Sequence, residues 1–196
     1  MSHIHLDPYL PSKTLEQVDD WTQDFNLTIV LSKDRKSKLG DYRRLRGDGH
    51  LITINHSLEP YLFFFVLTHE LAHLYTFSTY GPRVGAHGKE WKQTFRSMLL
   101  ETLDKYPEEL QEPIRSFARL PKANFMASPE LVRHFQYNTL GPNEAYMEDL
   151  GFDTRFEYRG EEFLTLSKLK KNYLCQHIAT GRKYRFNCLA RVKLRK

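Results

Sequence analysis

The sequence predicts an α+β chain in which one buried helix carries the chemistry and a small β region ends the chain. Three observations carry this. Residues 58–77 include Leu62, Phe63, Phe64, Phe65, Val66, Leu67, Leu71, Ala72 and Leu74, apolar on every side of a helical wheel, as in a helix at the centre of a domain. Two short β-branched segments, 27–31 (LTIVL) and 50–56 (HLITINH), precede it. Alternating aromatic and polar residues at 156–158, 163–166 and 184–186 all lie after Gly141-Pro142-Asn143, the best linker candidate.

The elements follow in order. Residues 12–25 read as a partly amphipathic helix, with Ser12 able to cap it and Leu15, Val18, Trp21 and Phe25 on one stripe. The strand at 27–31 comes next, and the polar, basic, glycine-containing stretch 32–49 reads as a loop or loose hairpin before the strand at 50–56. Tyr80-Gly81-Pro82 and Gly85 break the buried helix. A helix from Lys89 to about Lys105 has Trp91, Phe95, Met98, Leu99 and Leu103 in periodic positions, and Pro107 follows its end. Two short helices are expected around 114–120 and 129–135, and residues 150–194 read as the β region. The domain expectation is therefore 1–140 and 141–196.

Length and composition narrow the class. A chain of 196 residues with 40% hydrophobic and 27% charged residues can bury a core without disulfides. The longest apolar run, 61–67, is far too short to span a membrane. The first residues lack the basic and apolar regions of a signal peptide, and the two cysteines make no disulfide framework. The expectation is a cytoplasmic protein (nucleoid-associated if bacterial), with no membrane partner and a monomeric state. Charge is unevenly spread. Residues 155–196 hold 12 Lys+Arg against 3 Asp+Glu, whereas residues 1–154 hold 17 against 21. A mildly acidic body with a basic end favours a polyanionic partner, nucleic acid first.

The strongest signal is His69-Glu70-Leu71-Ala72-His73. Residues four apart share one helix face, so both imidazoles can grip one Zn²⁺. Glu70 sits about 100° round the helix, placed to address a zinc-bound water rather than the metal. The pattern arises by chance in roughly 0.03 chains of this composition. Burying two histidines and a glutamate costs several kcal/mol unless something satisfies them, and a metal does so. A catalytic zinc needs a third protein ligand and an open position. Glu90 and Glu101 on the next helix are possible. His87, in Ala86-His87-Gly88-Lys89-Glu90-Trp91 after the Gly/Pro loop, is the stronger candidate, because that loop lets the following helix fold back beside His69 and His73. Thr76 and Thr79 stand where a metzincin has glycine and histidine, which excludes that class. Tyr75, Tyr80 and Arg83 are near enough in sequence to stabilise an oxyanion, and nothing in the sequence selects among them.

A buried HELxH helix, a loop of about a dozen residues and then HGxxW opening a second helix resembles the SprT-like metalloprotease family, which includes Spartan. The matching residues are His69, Glu70, Leu71, His73, His87, Gly88, Glu90 and Trp91, and the resemblance covers about residues 10–105. It implies a minimal zincin-like domain, one catalytic zinc held by three histidines, and peptide hydrolysis with Glu70 as the base. It further implies cleavage of proteins bound or crosslinked to DNA, with DNA, single-stranded favoured, as a partner beside the protein substrate. Many members carry a C-terminal zinc ribbon of paired CxxC motifs. Here Cys175-x-His177 and Cys188 are too few and wrongly spaced, so a metal-free β region of similar outline is expected.

In that basic region Lys168, Lys170, Lys171, Arg182, Lys183 and Arg185 are the candidate nucleic-acid contacts, since backbone phosphates want cations. Phe156, Tyr173 and Phe186 fit the core of a small β unit better than a base-stacking surface. Lys33, Arg35, Lys36, Lys38, Arg43, Arg44 and Arg46 offer a second basic surface in the body. Two other functions remain open: a DNA-independent metallopeptidase, and a DNA-binding module with a structural zinc. Glu70 argues against the latter, because a structural site needs no carboxylate beside its metal.

Overall fold

The structure, a computed structural model, describes residues 6–35, 37–124, 128–136, 140–170 and 172–194. The chain divides into two compact units, Met1–Leu131 and Val132–Lys196. Its described residues form five α-helices and two sheets, a mixed α+β architecture.

In the first unit, α1 (Leu15–Thr22) is shorter than its apolar stripe predicts. Its N-cap is Thr14, not Ser12, and the Thr14 hydroxyl donates to the Pro11 carbonyl at 2.9 Å instead of capping the helix. Strands β1 (Leu27–Ser32), β2 (Gly40–Arg44) and β3 (His50–Asn55) form a sheet in the order β1-β3-β2. β1 pairs parallel with β3, and β2 pairs antiparallel with it. Parallel neighbours need a crossover; here the connection from β1 to β3 includes β2, which runs along the far side of β3 and starts beside the β3 end that pairs with the end of β1. The Arg35 guanidinium holds this crossing in place. It donates to Asn55 Oδ1 and Thr53 Oγ1, both at 3.0 Å, while Asn55 Nδ2 donates back to the Arg35 and Lys38 carbonyls.

The helix α2 (Pro60–Tyr80) packs over this sheet. Pro60 occupies its first position, where a missing N–H costs nothing. The Glu59 carboxylate accepts from the Tyr61 and Leu62 N–H groups at 3.1 Å each. Gly81, with φ of 74°, closes the other end in a conformation that side chains disfavour. As its composition predicts, α2 is the core of the unit: Phe63, Phe64, Leu67, Leu71, Ala72 and Leu74 are fully buried. The helix α3 (Lys89–Glu101) folds back on it and ends in a 3-10 turn, Leu103–Lys105. α4 (Glu108–Arg119) begins well before the expected residue 114, and Pro113 lies inside it. Leu110, Ile114, Phe117 and Ala118 are buried along one face, and that face overrides the hydrogen bond lost at the proline.

The division between units falls inside α5 (Pro129–Gln136). The second unit is an antiparallel sheet in the order β4-β9-β5-β6-β7-β8, from β4 (Glu144–Tyr146), β5 (Arg155–Tyr158), β6 (Glu161–Lys168), β7 (Asn172–His177), β8 (Lys183–Asn187) and β9 (Arg191–Leu194). Phe156, Tyr173 and Phe186 are in its hydrophobic core together with Phe163, Cys175 and Val192, so these aromatics are packing groups. Both cysteines are free thiols. His177 is bound within the sheet, with Nε2 3.0 Å from Glu161 Oε2 and Nδ1 2.7 Å from Thr180 Oγ1. No helix among the described residues is long and apolar enough to cross a membrane.

Candidate metal centre

One face of α2 and the turn before α3 bring three imidazoles together. His69 and His73 are one helical turn apart, and their ring centroids lie 5.1 Å apart. His87 sits in the turn ahead of Gly88, the N-cap of α3, with its ring 5.4 Å from that of His69 and 4.7 Å from that of His73. One nitrogen from each lies within 4.8 Å of the others, and His87 Nε2 is 3.4 Å from His69 Nε2. Tetrahedral zinc with bonds of 2.0–2.1 Å sets its ligands about 3.4 Å apart. Two imidazole nitrogens at that spacing match two ligands of one ion. Among the described residues this is the group of three or more potential ligands whose donor atoms converge. Glu101 is turned elsewhere and accepts from Gln17 Nε2 at 3.0 Å; neither it nor Glu90 joins the cluster.

Electrostatics keeps these imidazoles in their metal-binding form. Burial, reinforced by the neighbouring imidazoles, lowers the pKa of His69 to about 3 and of His73 to about 4. Burial and Lys92 lower that of His87. All three are neutral donors near pH 7, as a metal requires. Trp91 of α3 forms a floor for the cluster, its ring 4.7, 5.2 and 4.6 Å from those of His69, His73 and His87. His69 and His73 are half-buried and His87 is exposed, so the site opens to solvent.

Glu70 stands at the side of this face and is buried. Burial foremost, with the Asp41 charge adding, lifts its pKa to about 8, and the Tyr42 backbone amide, Lys38 and Arg35 oppose the rise. A carboxyl group tuned to this range is suited to accept and return a proton near neutral pH.

Sequence reasoning left β2 in a loop or loose hairpin and so missed what lies along α2. The inner face of β2 presents Gly40, Tyr42 and Arg44 at alternate positions. Gly40 lies against Val66 and Glu70. The Tyr42 ring stacks on His73 at 6.2 Å and 7°. The Arg44 guanidinium lies 4.9 Å over the Phe77 ring. Tyr42 is held from behind by His50 Nδ1, 3.0 Å from its hydroxyl.

The three sequence candidates for an oxyanion donor separate. The Tyr75 hydroxyl donates to the Trp21 carbonyl at 3.0 Å, so it ties α2 to α1. Tyr80 and Arg83 are exposed at the α2–α3 connection.

The basic residues fall into distinct places. Lys168 ends β6 opposite Tyr173, Lys170 lies in the turn to β7, and Arg182 and Lys183 lie towards the opposite end of β7, Lys183 opposite Gln176, so Lys168 and Lys183 are about 10 Å apart along the strand direction. Arg185 shares a face of β8 with Lys183, while Lys168 lies over the Tyr173 ring at 5.8 Å. Lys36 and Lys171 lie outside the described residues. In the body, much of the basic surface expected from sequence is engaged internally: Arg35 in the crossing, Lys38 and Arg43 with Asp41 at 2.8 and 3.3 Å, and Arg44 on Phe77.

The sequence model of the SprT-like family matches residues 12–110, just over half of the chain. That span contains the whole three-histidine cluster, Glu70 and β2. No curated protein and no solved structure matches the chain.

Proposed function

The chain belongs to the SprT-like family, and from that premise we propose that it is a zinc-dependent endopeptidase acting on proteins bound or crosslinked to DNA. Metallopeptidase chemistry is the family's general property. The observation that supports it in this chain is the convergence of His69, His73 and His87 beside the buried carboxyl of Glu70.

His69, His73 and His87 would hold the ion, and their neutral nitrogens, mutually within 4.8 Å and 3.4 Å apart between His69 and His87, fit it. Zinc, when bound, supplies Lewis acidity that polarises a peptide carbonyl and makes water a stronger acid. The remaining work belongs to the chain. Glu70 accepts a proton on its carboxylate from the attacking water and returns it to the departing amine. Trp91 and Tyr42 fix the planes of the imidazoles. The exposed edge at His87 leaves the face open to a peptide.

The DNA part of the reading rests on the basic end of the chain. Exposed Lys168, Lys170, Arg182, Lys183 and Arg185 spread along the sheet of the second unit and suit a flexible polyanion such as single-stranded DNA. The test uses zinc-loaded wild type and Glu70→Gln with a basic DNA-binding protein as substrate, with and without single-stranded DNA. Cleavage by wild type alone, and only with DNA, is the expected result. Loss of a general base costs about 10²–10⁴-fold in rate. Glu70-dependent cleavage indifferent to DNA would leave a metallopeptidase without the DNA role. Equal cleavage by both proteins would refute the assignment of Glu70.

A further inference from the structure

We propose that Gly40 is a positioning residue: its missing side chain makes the slot in which the Glu70 carboxylate is held against the edge strand. This rests on the reading of Glu70 as the proton-transferring base.

The argument begins with space. A Cβ built on Gly40 would lie 2.6 Å from Glu70 Oε1, 2.8 Å from Glu70 Cγ and 2.8 Å from Val66 Cγ1. Real side chains do not approach so closely, so any other residue at position 40 displaces the glutamate, the valine or the strand. Val66 is β-branched and stiff at χ1, and it is buried in α2, so it yields little. The flexible Glu70 side chain is the group that must move. Gly40 does not have a positive φ, so its backbone conformation is open to any residue. Room for Glu70, rather than a turn, accounts for glycine here.

A second contact works with the first. The next inner side chain of the same edge strand, Tyr42, stacks on His73. One five-residue strand therefore sets the base and one of the three imidazoles relative to each other.

The experiment compares full-length, zinc-loaded wild type, Gly40→Ala, Glu70→Ala and the double variant. Three quantities are read: bound zinc, steady-state cleavage, and the denaturant midpoint of the metal-free protein. The expected result for Gly40→Ala is one bound zinc, KM within about twofold, and kcat reduced about 10–100-fold, the scale of an ångström-sized misplacement of a catalytic group. In the metal-free protein, Gly40→Ala shifts the midpoint less in the Glu70→Ala background than in wild type, because the crowded atoms are gone. If Gly40→Ala does not fold, Gly40→Ala/Val66→Ala, which removes the aliphatic contact, carries the same kinetic test. A folded, zinc-loaded Gly40→Ala with wild-type kcat overturns the proposal, as do additive midpoint shifts. If wild type and Glu70→Gln prove equally active, the assignment of Glu70 as base fails, and if they prove equally inactive, the peptidase reading fails; in either case the midpoint coupling alone decides whether Gly40 positions Glu70.

Discussion

His87 and Glu70 show how differently two residues of one site depend on their surroundings. His87 is exposed on a turn, with one side of its ring against Trp91 and its nitrogen free to face a metal. His87→Ala should lower zinc affinity by at least about 100-fold, beyond the usual effect of losing a supporting contact. It should leave the metal-free protein within about 0.5 kcal/mol of wild type. Zinc competition against a chromophoric chelator, paired with denaturant unfolding, checks both halves. Glu70 is the opposite case, because its environment sets its protonation. In the metal-free protein, His69 and His73 titrate near 3 and 4 rather than 6.5, so the unfolded chain binds more protons and stability falls as pH drops below 6.5. Glu70 titrates near 8 rather than 4.5, so the folded chain binds more protons and stability falls as pH rises from 4.5 to 8. Two histidines outweigh one carboxyl below pH 6.5, and the carboxyl alone acts above it. The metal-free protein should therefore be most stable near about pH 6.5, losing up to about 1.4 kcal/mol per pH unit on the alkaline side. Glu70→Gln should abolish that alkaline loss and keep the acid one. Thermal unfolding of both proteins with chelator, from pH 4 to 8.5, provides the comparison. Equal alkaline slopes would show that Glu70 is not the group responsible.

At the scale of elements, the unexpected part of the site is β2. The helix that bears His69, Glu70 and His73 was legible from its unbroken apolar run, and His87 from its place after a Gly/Pro loop. β2 was not, because its inner face carries Gly40, Tyr42 and Arg44 rather than an alternation of apolar residues. Those residues satisfy a carboxylate, an imidazole and a phenyl ring on α2, so the period-2 hydrophobic signal never appears. α4 is longer than the helix expected around 114–120, because its amphipathic face starts at Glu108 and runs through Pro113. The crossing before β2 hid another role. Arg35 reads as one cation of a basic cluster, yet its guanidinium clasps Asn55 and Thr53. Arg35→Ala removes the guanidinium hydrogen bonds to the buried Asn55 Oδ1 and to Thr53, leaving Ser32 Oγ as the donor to Asn55 Oδ1, and losing bonds from a charged donor costs about 1–3 kcal/mol. We expect that destabilisation by denaturant titration, with unchanged affinity for single-stranded DNA. Weakened DNA binding at full stability would instead make Arg35 a nucleic-acid contact.

Over the whole molecule, chemistry and charge fall in different units. The convergent histidines lie in the first unit, while the excess of positive charge belongs to the end of the chain that forms the second. The sequence made that asymmetry plain but not its layout, since strand pairing decides where each cation goes. The Lys168–Lys170 end and the Arg182–Lys183 end of β7 are separate sites along one sheet, about 10 Å or more apart along the strands. If a single strand of DNA lies along that sheet, both ends contact phosphates and each contributes its own counterion release. Log affinity then falls with log salt by about 0.7 for every phosphate neutralised on a single strand. Replacing Lys168 and Lys170 with alanine should reduce that slope by about 1.4, and so should replacing Arg182 and Lys183. The four replacements together should reduce it by the sum, because the pairs are too far apart to share a phosphate. None of these residues is a member of the histidine cluster, so zinc content and cleavage of a short peptide without DNA should stay at wild-type levels. Fluorescence anisotropy with a labelled oligonucleotide, titrated across salt concentrations, measures each slope. A loss confined to one pair would place the DNA at that end only. Slopes unchanged in every variant would remove this sheet as the DNA-binding surface, leaving the peptidase chemistry to stand on the first unit alone.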